Sequence, residues 1–326
     1  MSSGPAQRRE DAFYNPRPQG YFSPAENGTW TSSTTAPQSP TVAFSGPPTN
    51  PKAIRLISWN IDVLVGFAEE RMSAALEYLE TLVSSTPADT PLVIFLQEMG
   101  LSDLDQIRAS KWIHQRFNAT DLDNKNWLSP LYGTTTLIDR RLKINNVFRV
   151  PWFSKFDRDG LFVDIALEGP SGADSSSTVM RLCNTHLESL VADPPVRPAQ
   201  VAAASPYLHA PAVTSALLAG DLNAIQPFDR TLHSENNLKD TYLELGGAED
   251  SDEGYTWGYQ VPQWMKDKFG CSRMDKIFFA GEVTPRAFER IGAGVKVKEE
   301  FRERVREAGR RSGSRIIMNN RVFIDH

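Results

Sequence analysis

The chain has 326 residues, of which 40% are hydrophobic and 10% aromatic, enough for one large α/β domain with a tail or for two ordinary domains. Its formal net charge of -5 argues against a protein that coats nucleic acid through bulk positive charge, but does not exclude an enzyme that binds nucleic acid locally. The sequence contains no apolar run of about 18 residues and no apolar N-terminal leader core, so we expect neither a membrane span nor secretion. With two cysteines and no disulfide framework, a reducing compartment is expected, namely the nucleus, the cytoplasm or both.

Residues 1–51 are rich in Ser, Thr, Pro, Gly and Gln, and their apolar residues follow no helical or strand period. Such a segment buries too little apolar surface to offset the entropy lost on ordering. We therefore predict a disordered tail, within which the aromatic residues are the alternative basis for a short docking motif. The composition changes at Lys52, and residues 52–326 are expected to form the folded domain.

Strands and helices alternate along this second part of the chain. Ile54–Trp59 alternates apolar and polar residues as a strand does, Phe67–Ser85 has apolar residues at helical spacing, and the apolar run Leu92–Leu96 predicts a strand buried on both faces. Further helices are predicted at Ser102–Phe117, Arg197–Leu208 and Lys298–Arg311, and further strands at Leu131–Ile138, Val147–Phe153, Leu161–Leu167, Thr178–Asn184, Ser215–Ala219, Met274–Ala280 and Arg321–Ile324. Because strands outnumber helices, and hairpins are mixed with helical crossovers, we predict two mixed sheets packed face to face with helices outside.

Polar residues repeatedly follow these apolar strands at the point where each strand ends. The pairs are Asn60 and Asp62, Gln97 and Glu98, His186 and Glu188, Asp221 and Asn223, and Asp325 and His326. Strand ends from several parts of a sheet can converge on one rim, which would give a rigid site of carboxylates, amides and histidines. Carboxylate and amide oxygens are the ligands that Mg²⁺ accepts, while the absence of thiolates argues against structural zinc.

These residue types fit the hydrolysis of a phosphodiester, in which negative charge gathers on the phosphoryl oxygens as water attacks. A metal on Glu98 can polarise a phosphoryl oxygen, and His186 and His326 can donate hydrogen bonds to the others. Asp221 can orient or deprotonate the water. Each residue taken alone also fits an ordinary turn or helix cap, but the whole ordered set favours a site. The Asn223 amide would hold Asp221. The Asn60 amide would hold the metal-bound carboxylate or the phosphate.

The chain resembles the endonuclease/exonuclease/phosphatase superfamily, and most closely its tyrosyl-DNA phosphodiesterase 2 branch. The resemblance covers residues 52–326 in order and rests on SWNID (58–62), LQEM (96–99), NTHLES (184–189), GDLN (220–223), YTW (255–257), SRMDKIFF (272–279) and IDH (324–326). It implies a four-layered α/β sandwich of two packed mixed β-sheets flanked by helices. The implied reaction is hydrolysis of a 5′-phosphotyrosyl bond, which frees DNA ends during repair.

The resemblance also implies a role for each matching residue. Asn60 and Glu98 would bind or position Mg²⁺, for which Mn²⁺ is a possible substitute, and Asp62 would support Asn60. The implied catalytic residues are Asp221, which activates the water beside Asn223, His186, which contacts the phosphate, and Asp325, which orients His326 to stabilise the transition state. The implied substrate-binding residues are Ser189, Trp257, Arg273 and Asp275. The implied partner is DNA with a 5′-tyrosyl or other phosphoester end, acted on by a nuclear monomer without membrane attachment.

Three departures from the branch keep other interpretations open, one of them a charged insertion at Lys298–Arg311 between the last motifs. The branch carries an arginine shortly after its GD-x-N motif, whereas this chain has Ala224-Ile225-Gln226-Pro227 there. This difference keeps an alternative open, namely a nuclease or phosphatase that acts on RNA, abasic DNA or a small phosphoester. Relatives continue into a core strand after the Asp-His pair, whereas this chain ends at His326. The domain would then either complete its sheet otherwise or be truncated at its C-terminal end. A degenerate, non-catalytic scaffold is the third interpretation.

Overall fold

The computed structural model describes residues 13–33, 51–167 and 178–298. Its helices are α1 (Ala68–Ser85), α2 (Leu101–Ala109), α3 (Lys111–Arg116), α4 (Arg197–Leu208), α5 (Leu232–Glu235), α6 (Thr241–Glu244) and α7 (Gln263–Phe269), with a 3-10 turn at Pro227–Arg230. Its strands are β1 (Arg17–Pro18), β2 (Tyr21–Pro24), β3 (Trp30–Ser33), β4 (Arg55–Asn60), β5 (Leu92–Met99), β6 (Phe117–Ala119), β7 (Gly133–Asp139), β8 (Ile144–Pro151), β9 (Asp159–Leu167), β10 (Thr178–Thr185), β11 (Val213–Asp221), β12 (Lys239–Asp240) and β13 (Asp275–Gly281).

The strands form two mixed sheets that pack face to face. The first has the order β1-β8-β9-β10-β11-β13-β12 and the second the order β3-β2-β6-β7-β5-β4. Apolar side chains from β5 and β7 meet those of β8 to β11 and β13 in a core between the sheets. Helices α1 to α3 cover the outer face of the second sheet, and α4 and α5 cover that of the first. This confirms the predicted α/β sandwich of two mixed sheets flanked by helices.

Strand β5 shows why its sequence is a continuous apolar run. Leu92, Ile94 and Leu96 pack under the helices, whereas Val93 and Phe95 point into the core between the sheets. Side chains alternate along a strand, so a strand covered on both faces needs apolar residues at every position. Parallel pairing with β4 and antiparallel pairing with β7 then place β5 in the interior of its sheet.

Three predicted elements differ from the structure or lie wholly or mostly outside the part it describes. The single helix predicted at Ser102–Phe117 is divided, because Ser110 adopts an extended conformation (ψ 119°) between α2 and α3. The break lets Ile107 and Ile113 bury in the same cluster from two helix directions. The strand predicted at 321–324 and all of the helix predicted at 298–311 except Lys298 lie outside the described residues.

The prediction of disorder throughout residues 1–51 is wrong for residues 13–33. Strand β2 pairs with β3 and, through Phe22 opposite Ala119, with β6, while β1 pairs with β8. Short extended segments that lack a regular alternation of apolar and polar residues can still form backbone hydrogen bonds by pairing with the edge strands of existing sheets. Residues 1–12 and 34–50 lie outside the described part of the chain.

A buried arginine ties this N-terminal segment and both sheets together. The Arg149 guanidinium on β8 lies 2.8 Å from Asp121 Oδ2 and 2.9 Å from Asp159 Oδ2, and its Nε donates to Gln19 Oε1 at 2.8 Å. Burial raises the pKa of the Asp121 carboxyl, and the neighbouring Arg149 charge opposes that shift. Because Asp121 follows β6 of the second sheet and Asp159 begins β9 of the first, the ion pairs cross the sandwich.

No helix in the described ranges combines the length and the apolar character that crossing a bilayer requires.

We expect Arg149→Leu to lower the free energy of unfolding by about 3–5 kcal/mol, because it leaves two buried carboxylates without their cation. Chemical denaturation at constant pH measures the change. Arg230→Leu is the control, since Arg230 pairs with Asp250 where both side chains are more than half exposed, and a change of at most about 1 kcal/mol is expected there. Equal effects of the two substitutions would contradict the assigned role of Arg149.

Candidate active site

Four strand ends, two from each sheet, bring the candidate residues together. The parallel pairs β4–β5 and β10–β11 end side by side, and Asn60, Glu98, His186 and Asp221 lie at or just after those ends. Asn60 Nδ2 donates across the sandwich to Asp221 Oδ2 at 2.9 Å. His186 Nε2 lies 3.4 Å from Asp221 Oδ2 and 3.8 Å from Glu98 Oε1. The predicted convergence of strand ends is therefore observed for these four residues.

The amide of Asn60 has one orientation that satisfies its neighbours. Its Nδ2 must face the Asp221 carboxylate, which only accepts, and its Oδ1 accepts the Asp62 backbone N–H at 2.8 Å. Arg71 donates to the Asp62 carbonyl at 2.7 Å and to the Ile61 carbonyl at 2.7 Å, which holds the turn after β4 in place. Asn60 therefore positions Asp221, and its Oδ1 keeps one lone pair for a further contact.

The second oxygen of Asp221 is held from its own loop. Asp221 Oδ1 accepts the backbone N–H of Asn223 at 2.8 Å, and Asn223 has a positive φ of 48°, a conformation that asparagine tolerates well. The Asn223 amide donates to the Leu187 carbonyl at 3.1 Å and to Ser189 Oγ at 3.3 Å. Asn223 thus fixes the Asp221 carboxylate and joins its loop to the one after β10.

Glu98 is placed by an irregularity in β5. The register between β5 and β7 shifts between Leu96 and Met99, and Glu98 has φ 51°, a left-handed conformation that is strained for glutamate. A bulge of this kind changes the direction in which a side chain points. The Glu98 side chain remains 14% exposed, more than those of His186 and Asp221 at 3% and 4%. Of these three groups, its carboxylate is therefore the most accessible to solvent.

Arg158 is the residue that the sequence analysis missed. Its guanidinium is nearly buried, lies over the rings of Tyr132 and Phe156 at 5.2 and 5.5 Å, and donates to Ser189 Oγ at 2.8 Å. Its Nη2 also lies 3.9 Å from Glu98 Oε1. The available signal was the charged triplet of residues 157–159, which stands directly before an apolar strand.

Arg158 also decides which nitrogen of His186 carries the proton. Its Nη1 lies 2.7 Å from His186 Nδ1, and a guanidinium can only donate. Nδ1 is then the acceptor, so a neutral His186 ring has its proton on Nε2. That N–H faces the region between Asp221 and Glu98.

Buried amide side chains join three of these strand ends to one another. Gln97 Nε2 donates to Asn184 Oδ1 at 2.8 Å and to Ser58 Oγ at 3.1 Å, and Asn184 Nδ2 donates to the Thr135 carbonyl at 3.0 Å. Gln97 and Asn184 are fully buried. These bonds join β4, β5, β7 and β10, so the relative positions of the site residues are fixed by the two sheets together.

Three of the four predicted substrate-binding residues lie in or beside the site. Ser189 lies in the site, and Asp275 faces Asp221 in the β11–β13 register, with Thr256 Oγ1 donating to it at 2.8 Å. Trp257 is half-buried and forms a backbone bridge with Ser272. Ser272 precedes Asp275 closely along the chain. Each of these three lies in the site or on a segment that borders it.

Arg273 is the exception, and its predicted substrate contact is corrected. It is 2% exposed, lies 2.8 Å from Asp240, also pairs with Glu249, and lies over the Tyr242 ring. The carboxylates bind its guanidinium inside the protein and leave it inaccessible to a substrate. Asp325 and His326 lie outside the described residues, so their predicted roles stay predictions.

The donor set suits a metal ion that keeps part of its water shell. Within the described ranges, no three His, Cys, Asp or Glu side chains form a ready-made cage. Mg²⁺ is commonly bound through one or two carboxylates, waters and substrate phosphate oxygens. The partly exposed Glu98 carboxylate and the remaining lone pair of Asn60 Oδ1 fit such an ion.

Comparisons with known proteins agree with this architecture. A family model described as the Endonuclease/Exonuclease/phosphatase family matches residues 57–296. A truncated TDP2 from Caenorhabditis elegans is 19% identical, with a TM-score of 0.52 over 73% of this chain and 88% of that one. Zebrafish (D. rerio) TDP2 complexed with a single-strand DNA product is 17% identical, with a TM-score of 0.53 over 73% and 90%.

A sphingomyelinase C from Streptomyces griseocarneus is 13% identical, with a TM-score of 0.51 over 72% of this chain and 86% of that one. Identities this low establish a shared fold and nothing finer. Among curated proteins, none matches the chain by sequence.

The proton on His186 can be located by long-range ¹H–¹⁵N NMR at about pH 8. We expect Nδ1 to be unprotonated in the wild type, because it accepts from Arg158, and we expect Arg158→Leu to shift the ring toward a mixture of tautomers. The signals of His209, whose ring contacts the Asn236 carbonyl instead, should not change. A proton on Nδ1 in the wild type would show that the assigned contact is wrong.

Gly220→Ala tests the close approach of β11 to β10. Gly220 has φ 145°, and an added Cβ would lie 1.8 Å from the Thr185 carbonyl oxygen, directly beside His186. We expect the free energy of unfolding to fall by about 2 kcal/mol or more. Gly66→Ala is the control, because a Cβ there meets nothing within 4 Å, and denaturation should show a change of at most about 1 kcal/mol. Full stability of Gly220→Ala would contradict this strand geometry.

Proposed function

The chain belongs to the endonuclease/exonuclease/phosphatase family and has its phosphoesterase fold, and from this premise we propose that it is a Mg²⁺-dependent phosphodiesterase that hydrolyses 5′-phosphotyrosyl ends of DNA. The observation that carries the proposal is the set of contacts around Asp221. A buried carboxylate held by Asn60 and Asn223 lies next to the Nε2–H of His186, with Arg158 and Glu98 beside them. This arrangement offers an acceptor for the attacking water and donors for a phosphate.

Three side chains are suited to bind the scissile phosphate. Arg158 and His186 carry N–H groups that can donate to its oxygens, and Ser189 Oγ, which accepts from Arg158, has its own proton to donate. Since Arg158 is nearly buried and lies over two aromatic rings, it would present its charge from a fixed position. Fixed donors stabilise charge that develops on phosphoryl oxygens without the cost of reorganisation.

Asp221 would act on the water. Its Oδ2 accepts from Asn60 and its Oδ1 from the Asn223 backbone, which leaves further lone pairs to accept a proton from water and set the direction of attack. The His186 Nε2–H would donate to a phosphoryl oxygen as negative charge builds there. Mg²⁺ bound at Glu98 and Asn60 would supply Lewis-acid stabilisation of the same oxygens.

The arm between Trp257 and Ser272 supports a nucleic-acid substrate. Trp264 is 64% exposed and Phe269 58%, and Lys268 lies over Phe269. Aromatic rings interleaved with cations are typical of surfaces on which single-stranded bases stack. This local basic character contrasts with the net charge of -5 of the whole chain. We therefore propose that the partner is DNA and that the protein acts as a monomer in DNA repair in the nucleus.

A second candidate is another phosphoester substrate, such as RNA, abasic DNA or a small diester. The observation that favours it is Ile225, which is 38% exposed in the loop where the resembling branch has an arginine. An aliphatic side chain cannot contribute the phosphate contact that an arginine makes.

The decisive assay measures Mg²⁺-dependent release of tyrosine from a 5′-phosphotyrosyl oligonucleotide. We expect Glu98→Ala and Asp221→Ala each to lower kcat/KM by about 10²–10⁴-fold, because the first loses the metal carboxylate and the second the water-activating base. Glu77→Ala is the matched control, since this exposed carboxylate pairs with Lys298 outside the site, and it should retain activity.

Substrate choice is tested in the same assay with 3′-tyrosyl and abasic oligonucleotides. Preference for the 5′-tyrosyl end would support the proposal, whereas faster cleavage of another substrate would favour the second candidate. A folded wild-type protein that releases no tyrosine would refute the tyrosyl-DNA assignment.

A further inference from the structure

Two loops of the site carry exposed aliphatic side chains. Leu190 and Val191 follow Ser189 and are 66% and 69% exposed, and Ile225, two residues after Asn223, is 38% exposed. A single exposed aliphatic residue needs no explanation, but three beside a phosphate site mark a surface that could bind an apolar group. We call Leu190, Val191 and Ile225 the apolar rim.

The two loops are joined to each other by direct contacts. The Asn223 amide donates to Ser189 Oγ at 3.3 Å, and Arg197 donates to the Leu190 carbonyl at 2.8 Å and to Gln226 Oε1 at 3.4 Å. The two loops that carry the apolar rim are therefore held together.

A buried ion pair fixes the backbone under this surface. Arg197 is 2% exposed and lies 2.8 Å from Asp229, whose Oδ2 also accepts the Ile225 N–H at 3.0 Å. One pair thus holds the backbone of Leu190 through Arg197 and that of Ile225 through Asp229. The rim is preorganised, so binding to it costs little loop entropy.

Leu190 adopts a backbone conformation that leucine rarely takes. Its φ is 66°, in the left-handed region that bulky side chains seldom adopt, and the Arg197 hydrogen bond to its carbonyl holds it there. Strain of this kind clusters at sites where it serves binding or catalysis. Here it accompanies an aliphatic side chain that stays in solvent instead of joining the core.

The charges on these loops point to an uncharged ligand group. Arg197 forms an ion pair with Asp229, and Arg230 forms one with Asp250 at 2.9 Å. Both arginines that follow on these segments are thus paired with carboxylates at 2.8 and 2.9 Å, whereas Arg158, which donates to Ser189 Oγ, lies 3.9 Å from the Glu98 carboxylate. The apolar rim is thus better suited to an apolar substituent than to a second phosphate.

From these contacts we propose that Leu190, Val191 and Ile225 form the subsite for an uncharged aromatic ester group carried by the scissile phosphate. This inference rests on the proposed phosphodiesterase function, which supplies the phosphate position at Ser189. A phenyl ring covers aliphatic side chains well and brings no charge that would need a counterion. It also matches the aryl ester of a phosphotyrosyl bond.

Two methyl diesters that differ in the ester group released test the subsite in turnover. The ratio of kcat/KM for methyl phenyl phosphate to that for methyl 2,2,2-trifluoroethyl phosphate is measured for the wild type and for Leu190→Ser/Val191→Ser/Ile225→Ser. Since both proteins are assayed on the same two diesters, differences in intrinsic reactivity cancel when the two ratios are compared. We expect the ratio to fall about tenfold in the triple variant. Leu245→Ser, which changes an exposed leucine after α6, should leave the ratio unchanged.

Binding supplies a readout that does not depend on turnover. Calorimetry should show diphenyl phosphate binding the wild type about tenfold more tightly than dimethyl phosphate, with a negative heat-capacity change, and the triple variant should lose that preference. If the triple variant keeps the wild-type preference in binding, the subsite is refuted. Loss of the binding preference without turnover of either diester would support the rim and count against the proposed function. Thermal unfolding of the triple variant confirms that it is folded.

Discussion

The hydrogen bond from Asn60 to Asp221 joins the two sheets at the point where the chemistry is expected. Asn60 ends β4 of one sheet and Asp221 ends β11 of the other, so the bond exists only when the sandwich is closed. Both groups are nearly buried, and leaving either without its partner would cost about 1–3 kcal/mol of desolvation. The hydrogen bond that joins the two sheets therefore also orients the Asp221 carboxylate. Neither sheet alone can assemble the site.

Arg158 organises the opposite side of the site by charge and by hydrogen bonding. Its guanidinium sets the tautomer of His186, holds Ser189 and lies near Glu98, while two aromatic rings confine it. Donors thus face the proposed phosphate position on one side and the acceptor Asp221 lies on the other. This separation of donors from an acceptor is what hydrolysis of a phosphodiester requires, because water gives up a proton while the phosphoryl oxygens gain charge.

Around this centre the two rims differ in chemistry. The arm before β13 exposes Trp264 and Phe269 near lysines, whereas the loops after β10 and β11 expose the aliphatic Leu190 and Ile225. A substrate with a nucleotide on one ester oxygen and an uncharged aromatic group on the other would match both surfaces. The surroundings of the proposed site are in this sense asymmetric.

Much of the fold was determined by local sequence patterns. The alternation in β4, the continuous apolar run in β5 and the helical spacing in α1 predict their elements because each reflects burial on known faces. The strand-end motifs predicted Asn60, Glu98, His186 and Asp221 as neighbours, since parallel strands end at a common edge. The edge strands of residues 17–33 were missed, because their pairing partners, not their own residues, make them extended.

Only the tertiary structure decided which polar side chains face the site. Arg158 and Arg273 both stand within two residues of an aspartate that begins a strand, yet the first reaches His186 and the second is bound by Asp240 and Glu249 in the interior. A motif specifies residue type and strand position, but the direction of a long side chain depends on the charges that other parts of the chain bring near it. The sequence alone therefore determined the strand ends that meet, and the packing of the two sheets decided their hydrogen bonds, the tautomer of His186 and the exposure of the apolar rim.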